Sequence, residues 1–226
     1  MRMRSCSRRG TTSDSAERMP GRTPVSIVLG LAACVWALVI LVAGGEVGWQ
    51  HAKPFSLVVG VISLALAAFD RWIWRWPVVR GFVSRPDLEA TYWGELKSQW
   101  VDPKTGEPPK PIAVAVVITQ RYSRLALTLF TEDSQSSTIA ATLDQGADGR
   151  FAVLGIYRNE PRLSAQPRSR IHYGGLRLDL AGSGTTLKGS YWTDRGSCGE
   201  LELARLSSEC AHDFGEAERM TGETSQ

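Results

Sequence analysis

Apolar residues are arranged along this chain in two regimes. From Val25 to Ala43, nineteen consecutive residues carry no charge. As a helix this stretch is about 28 Å long, close to the thickness of a bilayer core. A second apolar run goes from Phe55 to Phe69 and continues through Trp72, Ile73 and Trp74, interrupted by Asp70 and Arg71. Its aromatic end matches an interfacial belt, where tryptophan rings sit at headgroup level. The eleven residues Gly44–Pro54 between the runs contain only Glu46 and Lys53 as charged side chains. The pattern predicts a two-helix transmembrane hairpin over residues 25–74, with both flanks on one side of the membrane.

After Pro86 the apolar runs become short and take period two. That period belongs to half-buried strands. Eight are predicted, at 90–100, 112–120, 123–131, 136–144, 151–158, 171–180, 186–193 and 198–205. The separators are rich in turn residues, among them Asp102-Pro103-Lys104-Thr105-Gly106, Gly146-Ala147-Asp148-Gly149, Gly182-Ser183-Gly184 and Asp194-Arg195-Gly196. No interval offers a helix long enough for a crossover, so the pairing is antiparallel. The predicted fold is a membrane α-hairpin followed by an all-β, eight-stranded up-and-down β-barrel of lipocalin-like size. A β-sandwich is the alternative. Leu125, Leu127 and Leu129, Leu176, Leu178 and Leu180, and Leu201 and Leu203 share the interior parity. Arg177, Asp179, Glu200 and Glu202 take the opposite parity and face water.

Charge adds a direction. Residues 1–24 hold six arginines against Asp14 and Glu17, and residues 207–226 hold one arginine against five acids. Both tails read as disordered: a basic one at 1–24 and an acidic one at 207–226. The barrel segment, 86–206, holds fourteen basic and fourteen acidic residues. That balance argues against coating of DNA or RNA. Arg71, Arg75, Arg80 and Arg85 follow the second apolar run, the last three in a linker at 75–85, while Lys53 is the only Lys or Arg between the runs. The positive-inside rule puts both termini and the barrel in the cytoplasm. A cleaved signal peptide is the rival reading, but nineteen apolar residues exceed a typical signal core. Cys6, Cys34, Cys198 and Cys210 form no CxxC pair and suggest neither a zinc site nor a disulfide framework.

Extending the interior parity to the strand ends assembles a candidate site. In an eight-strand meander, odd strands end where even strands begin. Inward positions at that end are Trp100, Tyr157, Asn159, His172, Tyr191 and Thr193. A mouth of this polar and aromatic kind suits a flat, polar ligand better than a fatty acid. The first strand starts next to the linker, so the mouth points away from the bilayer. Beside it runs the loop Asn159–Arg170. With Arg158 it carries Arg158, Arg162, Arg168 and Arg170 against Glu160, and Arg195 sits in the last hairpin. Guanidinium forks match phosphate oxygens. Arg158 has exterior parity, so its role requires the strand end to curl.

At these residues a resemblance emerges. The chain resembles the SMODS-associating two-transmembrane, β-strand-rich effector family of bacterial CBASS antiphage systems. The resembling residues are Tyr92-Trp93-Gly94-Glu95-Leu96 with Ser98, Trp100 and Gln120; Tyr157-Arg158-Asn159-Glu160-Pro161; Ile171-His172-Tyr173-Gly174; Gly189-Ser190-Tyr191-Trp192-Thr193-Asp194-Arg195; and Gly199-Glu200-Leu201. The resemblance covers residues 25 to about 206. It implies a bacterial inner-membrane effector activated by a cyclic dinucleotide from a partner nucleotidyltransferase, with no other cofactor. Binding would drive homo-oligomerisation and membrane disruption, killing the infected cell. Under that implication Trp100, Tyr157 and Tyr191 stack on bases, and Asn159 and Thr193 hydrogen-bond base edges or ribose hydroxyls. Arg158, Arg162 or Arg195 pairs the phosphates, and His172 donates to one.

Other functions compete. A lipocalin-like carrier predicts an apolar mouth, which the parity does not give. A protein-docking module predicts an exposed apolar patch, and Trp93 and Trp192 have exterior parity. Catalysis has no motif to rest on: there is no HExxH, GxSxG or P-loop, and only His51, His172 and His212 are available.

Overall fold

The structure, a computed structural model, describes residues 30, 33, 34, 36, 37 and 52–224, except 84, 102–105, 108, 168, 182 and 183. The chain divides into two compact units, residues 1–73 and 74–226. The basic tail 1–24 lies outside the described residues. Of the first apolar run only Gly30, Ala33, Cys34, Trp36 and Ala37 are described, each helical.

In the first unit, α1 spans Ala52–Arg71 in the place of the second apolar run. Val61 and Leu64 are exposed on it. Among the described residues no helix is long and apolar enough to cross a membrane, and the expected pair of spans is not found there. The helix also stops at Arg71 instead of reaching Trp74. A 3-10 turn, Ile73–Arg75, follows, and Trp76 is extended at φ −64° and ψ 140°. Pro77 explains the break, because its ring disfavours the helical conformation of the residue before it. The short α2, Pro77–Arg80, starts on that proline.

In the second unit eight strands among the described residues close into an antiparallel barrel in chain order. They are β1 Ala90–Ser98, β2 Ile112–Gln120, β3 Leu125–Phe130, β4 Ser134–Gln145, β5 Phe151–Pro161, β6 His172–Ala181, β7 Thr186–Thr193 and β8 Cys198–Ser207. Closure runs through β1 and β8, with Trp93 opposite Ala204 and Leu96 opposite Leu201. The up-and-down barrel is therefore correct and the sandwich is not. The interior is filled along the expected parity by Val114, Val116, Ile118, Leu127, Leu176, Leu178, Leu187, Leu201 and Leu203.

The linker segment seals one end. Leu88 is fully buried, and its N–H donates to the Gln120 side-chain oxygen at 2.7 Å. The Gln120 amide nitrogen donates to the Pro86 carbonyl at 3.0 Å. The Tyr92 hydroxyl donates to the Gly184 carbonyl at 3.0 Å. Arg75 pairs with Glu89 at 2.5 Å and donates to the Gln120 carbonyl. Its guanidinium also lies 5.1 Å from the ring centre of the fully buried Trp74. The Leu88 N–H, the Gln120 side-chain amide and the Tyr92 hydroxyl thus each have a partner, which offsets the cost of taking them out of water, whereas Trp74 Nε1 and Arg75 Nε have no hydrogen-bond partner among the described residues.

The acidic C-terminal segment corrects the expectation of a disordered tail. Phe214–Thr224 forms a helix, α3. Its first turn is capped: the Glu216 N–H donates to Asp213 Oδ1 at 2.8 Å, and Glu216 Oε2 accepts from the His212 N–H at 2.6 Å. This is close to a capping box, with acids where a helix N-terminus favours them. Phe214, Ala217 and Met220 then lie on one face and cover Trp93, Ala115, Val117 and Phe130 on the outer wall of the barrel. The Trp93 and Phe214 ring centres are 5.3 Å apart. Trp93 is thus partly covered within the chain, whereas Trp192 stays half-exposed. Phe214→Ala removes the anchor of this helix. A loss of about 2 kcal/mol is expected in denaturant unfolding, toward the low side for an aromatic truncation because Phe214 is only half-buried.

Candidate functional site

At the end opposite the Gln120 seal, the inward positions change from aliphatic to polar and aromatic. Strand pairing sets them in levels. Ser136, Asn159 and His172 are direct cross-strand partners at the rim. Thr138, Tyr157, Gly174 and Thr193 form the next level inward. Leu176, Tyr191, Gly199 and Ser98 form the third. Tyr157, Asn159, His172, Tyr191 and Thr193 are each less than a tenth exposed. Five of the predicted mouth residues are therefore brought together.

Two glycines shape the wall. A Cβ on Gly174 would run into the Tyr157 ring, and one on Gly199 would meet Tyr191 Cε1 at 2.6 Å. Each tyrosine thus lies against the bare backbone of a neighbouring strand, with no side chain between. Burial holds the Tyr157 and Tyr191 phenols above their ordinary pKa; a hydrogen bond with Ser98 partly opposes this at Tyr191. Both are neutral donors at physiological pH.

The rim is a cluster of polar side chains. The Ser136 hydroxyl donates to Asn159 Oδ1 at 2.8 Å. The Asn159 amide nitrogen is 3.4 Å from His172 Nδ1, and the Arg170 carbonyl oxygen is 3.0 Å from the same atom. A carbonyl only accepts, so the shorter contact places the ring proton on Nδ1. Nε2 is then the acceptor of a neutral ring, and protonation of the ring turns it into a donor.

The remaining predicted residues surround this cluster. Trp100 lies beyond the end of β1 and is half-exposed. Arg158 points outward and pairs with Glu160 at 3.3 Å. Strand β5 continues to Pro161, so the strand end does not curl as a phosphate role for Arg158 requires. Arg162 is exposed, just past β5; its N–H donates to the Asp133 carbonyl. Arg195 is exposed in the β7–β8 turn and lies 3.4 Å from the Ser169 hydroxyl. Arg168 lies outside the described residues. Thr193 is inward, but its hydroxyl is 2.6 Å from the Ser197 hydroxyl and accepts from the Ser197 N–H, which commits it to the turn.

Sequence reading missed Ser136. Its signal was the interior parity of β4, which starts two residues earlier than predicted. The loop after β5 is also less open than expected. Backbone bonds fold it into a helical turn, with Ala165 buried.

The residues that build this barrel match a family model described as "Cap15, cyclic dinucleotide receptor domain", over residues 83–205. That is more than half of the chain. The chain belongs to the Cap15 cyclic dinucleotide receptor family. It is also similar to a Staphylococcus schleiferi protein described as CD-NTase-associated protein 15, with 21% identity over 161 residues, covering 71% of this chain and 82% of that one. The resemblance to the CBASS effector family is thereby borne out. The matched segment of this Cap15 family member begins in the linker and ends in β8, so it holds the polar mouth and the Pro86, Leu88, Tyr92 and Gln120 part of the seal.

Two expectations follow. Gly174→Ala forces a Cβ into the Tyr157 ring and toward the Trp192 carbonyl oxygen. It should cost about 1–3 kcal/mol in denaturant unfolding. The second concerns alkali. Tyr92 is raised to about 12, mainly by burial, and Tyr157 and Tyr191 are raised for the same reason. Unfolded phenols ionise near 10, so the unfolded chain releases protons first. The stability held by the neutral phenols is complete below about pH 10 and is lost as the pH rises through about 12. Absorbance at the phenolate band should show three of the five tyrosines ionising only as the barrel unfolds.

Proposed function

We propose that this chain is a membrane-anchored effector of antiphage defence whose barrel binds a cyclic dinucleotide at the polar mouth. Family membership supplies the ligand class. The observation that carries the site is the buried Ser136–Asn159–His172 cluster above Tyr157 and Tyr191, at the end opposite the Gln120 seal. Buried polar groups at one end of an otherwise leucine-filled barrel favour a ligand with polar edges and flat faces.

In this reading Tyr157, Tyr191 and Trp100 offer ring faces to the bases, and Asn159 reads a base edge or ribose hydroxyl. His172 Nε2 accepts from a base N–H while neutral and pairs with a phosphate when charged. Arg195 and Arg162 are better placed for the phosphates than Arg158, whose guanidinium is held by Glu160 on the outer face. The apolar runs anchor the protein in the inner membrane, with termini and barrel in the cytoplasm on the charge argument above. Assembly of several copies then disrupts the membrane. Ligand drives that assembly only if it binds the assembled state more tightly than the monomer. An outer row in which Ile156 and the half-exposed Trp192 flank Gly175 gives copies an apolar surface through which to associate.

The test is calorimetric titration of the full chain in detergent with a panel of cyclic dinucleotides, linear dinucleotides serving as the control. Selective binding at micromolar or lower concentration is expected. Tyr191→Ala and His172→Ala should each weaken it about tenfold or more, as loss of one base-stacking or charge-assisted contact does. Parent-like binding by both variants, with unfolding midpoints unchanged, would remove the mouth as the site.

A further inference from the structure

The barrel unit carries a second concave surface, at the sealed end. A groove of about 430 Å³ is lined by Arg80, Arg85 and Arg150 together with Phe151 and Leu180. Among the described residues lining it, none is acidic. Arg85 is held in place with its guanidinium 5.5 Å from the Tyr122 ring centre, and Arg150 meets Asp148 at 3.4 Å on an exposed edge. Two linker guanidiniums and that of Arg150 around one groove concentrate positive potential at this end of a charge-balanced barrel segment.

The residues preceding this groove in the chain are apolar and face water. Trp76 is 58% exposed, Val78 77% and Phe82 88%. Val78 and Phe82 are four residues apart across α2 and the turn after it, a spacing that puts two side chains on one face. Large apolar side chains beside an arginine-lined groove fit a bilayer surface. The apolar groups enter the headgroup boundary, and the arginines meet the phosphates. The mouth end also exposes apolar side chains, Leu163, Trp100 and Ile171 among them, so it is the arginine-lined groove beside Val78 and Phe82 that sets the sealed end apart.

We propose that this end of the barrel docks on the membrane, with Arg80, Arg85 and Arg150 binding the phosphate of an anionic phospholipid headgroup and Val78 and Phe82 inserting beside it. The proposal rests on the membrane-anchored reading, since it is α1 that precedes this segment in the chain. Its consequence is a fixed barrel: one end held at the bilayer, the other presented to the cytoplasm.

The experiment is native mass spectrometry of the full chain in detergent, titrated with phosphatidylglycerol or with phosphatidylcholine of the same acyl chains. Preferential retention of phosphatidylglycerol is expected. In the Arg80→Gln/Arg150→Gln variant the preference should fall by about fivefold for each arginine removed. The six arginines of the N-terminal tail are present in both proteins, so the difference isolates the groove. Both substituted residues are exposed, and an unchanged unfolding midpoint checks that the barrel is intact. Val78→Ser/Phe82→Ser should reduce retention of both lipids. Equal retention of the two lipids by the parent, an undiminished preference in the arginine variant, or displacement of the lipid by millimolar inorganic phosphate would each overturn the proposal. Membrane fractionation of cells expressing the full chain separates the two readings. A chain absent from membranes overturns the anchored reading and this proposal with it. A membrane-embedded chain with no groove-dependent preference overturns this proposal alone.

Discussion

The pairing of β1 with β8 is the constraint from which the other features follow. Once those strands join, every strand has two hydrogen-bonded neighbours and no sheet edge is left to recruit another chain. Closure also converts a period-two sequence pattern into an inside and an outside. Leucine and valine at alternate positions become one continuous core, and the charged residues between them become a solvated wall. Close strand approach enters here too: a Cβ at Gly94 in β1 would run into the Glu202 carbonyl of β8, so this seam accepts no side chain at that position.

A closed barrel has two ends, and the chain treats them differently. One is sealed by the segment that leads into β1, through Leu88, Gln120, Pro86, Tyr92 and Arg75. The other keeps Asn159, His172 and Ser136 in mutual contact with few aliphatic neighbours. The seal fixes the linker to the barrel and leaves chemistry to the opposite end. In the function proposed above, that division would let one small domain sit at a membrane and recognise a soluble ligand without either surface disturbing the other. Membership of a cyclic dinucleotide receptor family gives the barrel its ligand class.

The barrel was legible because strand periodicity is local. Leu125, Leu127 and Leu129 announce an inward face without knowledge of any partner strand, and all three are buried. The mouth was legible for the same reason, since Tyr157, Asn159, His172, Tyr191 and Thr193 continue parities set by apolar residues of the same strands: Val153 in β5, Leu176 in β6 and Leu187 in β7. Parity failed where a strand's limits were misjudged. Starting β4 at 136 hid Ser136 as the first inward group of an ordered run, and ending β5 at 158 left Arg158 free to be imagined curling inward. Thr193 shows a further limit: its direction was readable, but the capture of its hydroxyl by Ser197 depends on how the β7–β8 turn closes.

Residue order alone settles the strand count, the antiparallel pairing and most of the inward set, because each depends on alternation and turn chemistry within a few neighbours. It did not settle the fate of the acidic C-terminal segment. Asp213 and Glu216 carry a capping signal, yet a single three-turn helix has too little local stability to declare itself. It forms over Trp93, Ala115 and Val117, an apolar outer patch that exists only after β1 and β2 pair. The seal at Gln120 and the basic groove at Arg80, Arg85 and Arg150 belong to the same class. Their parts come from segments far apart in the chain, and closure of the barrel brings them within reach of one another.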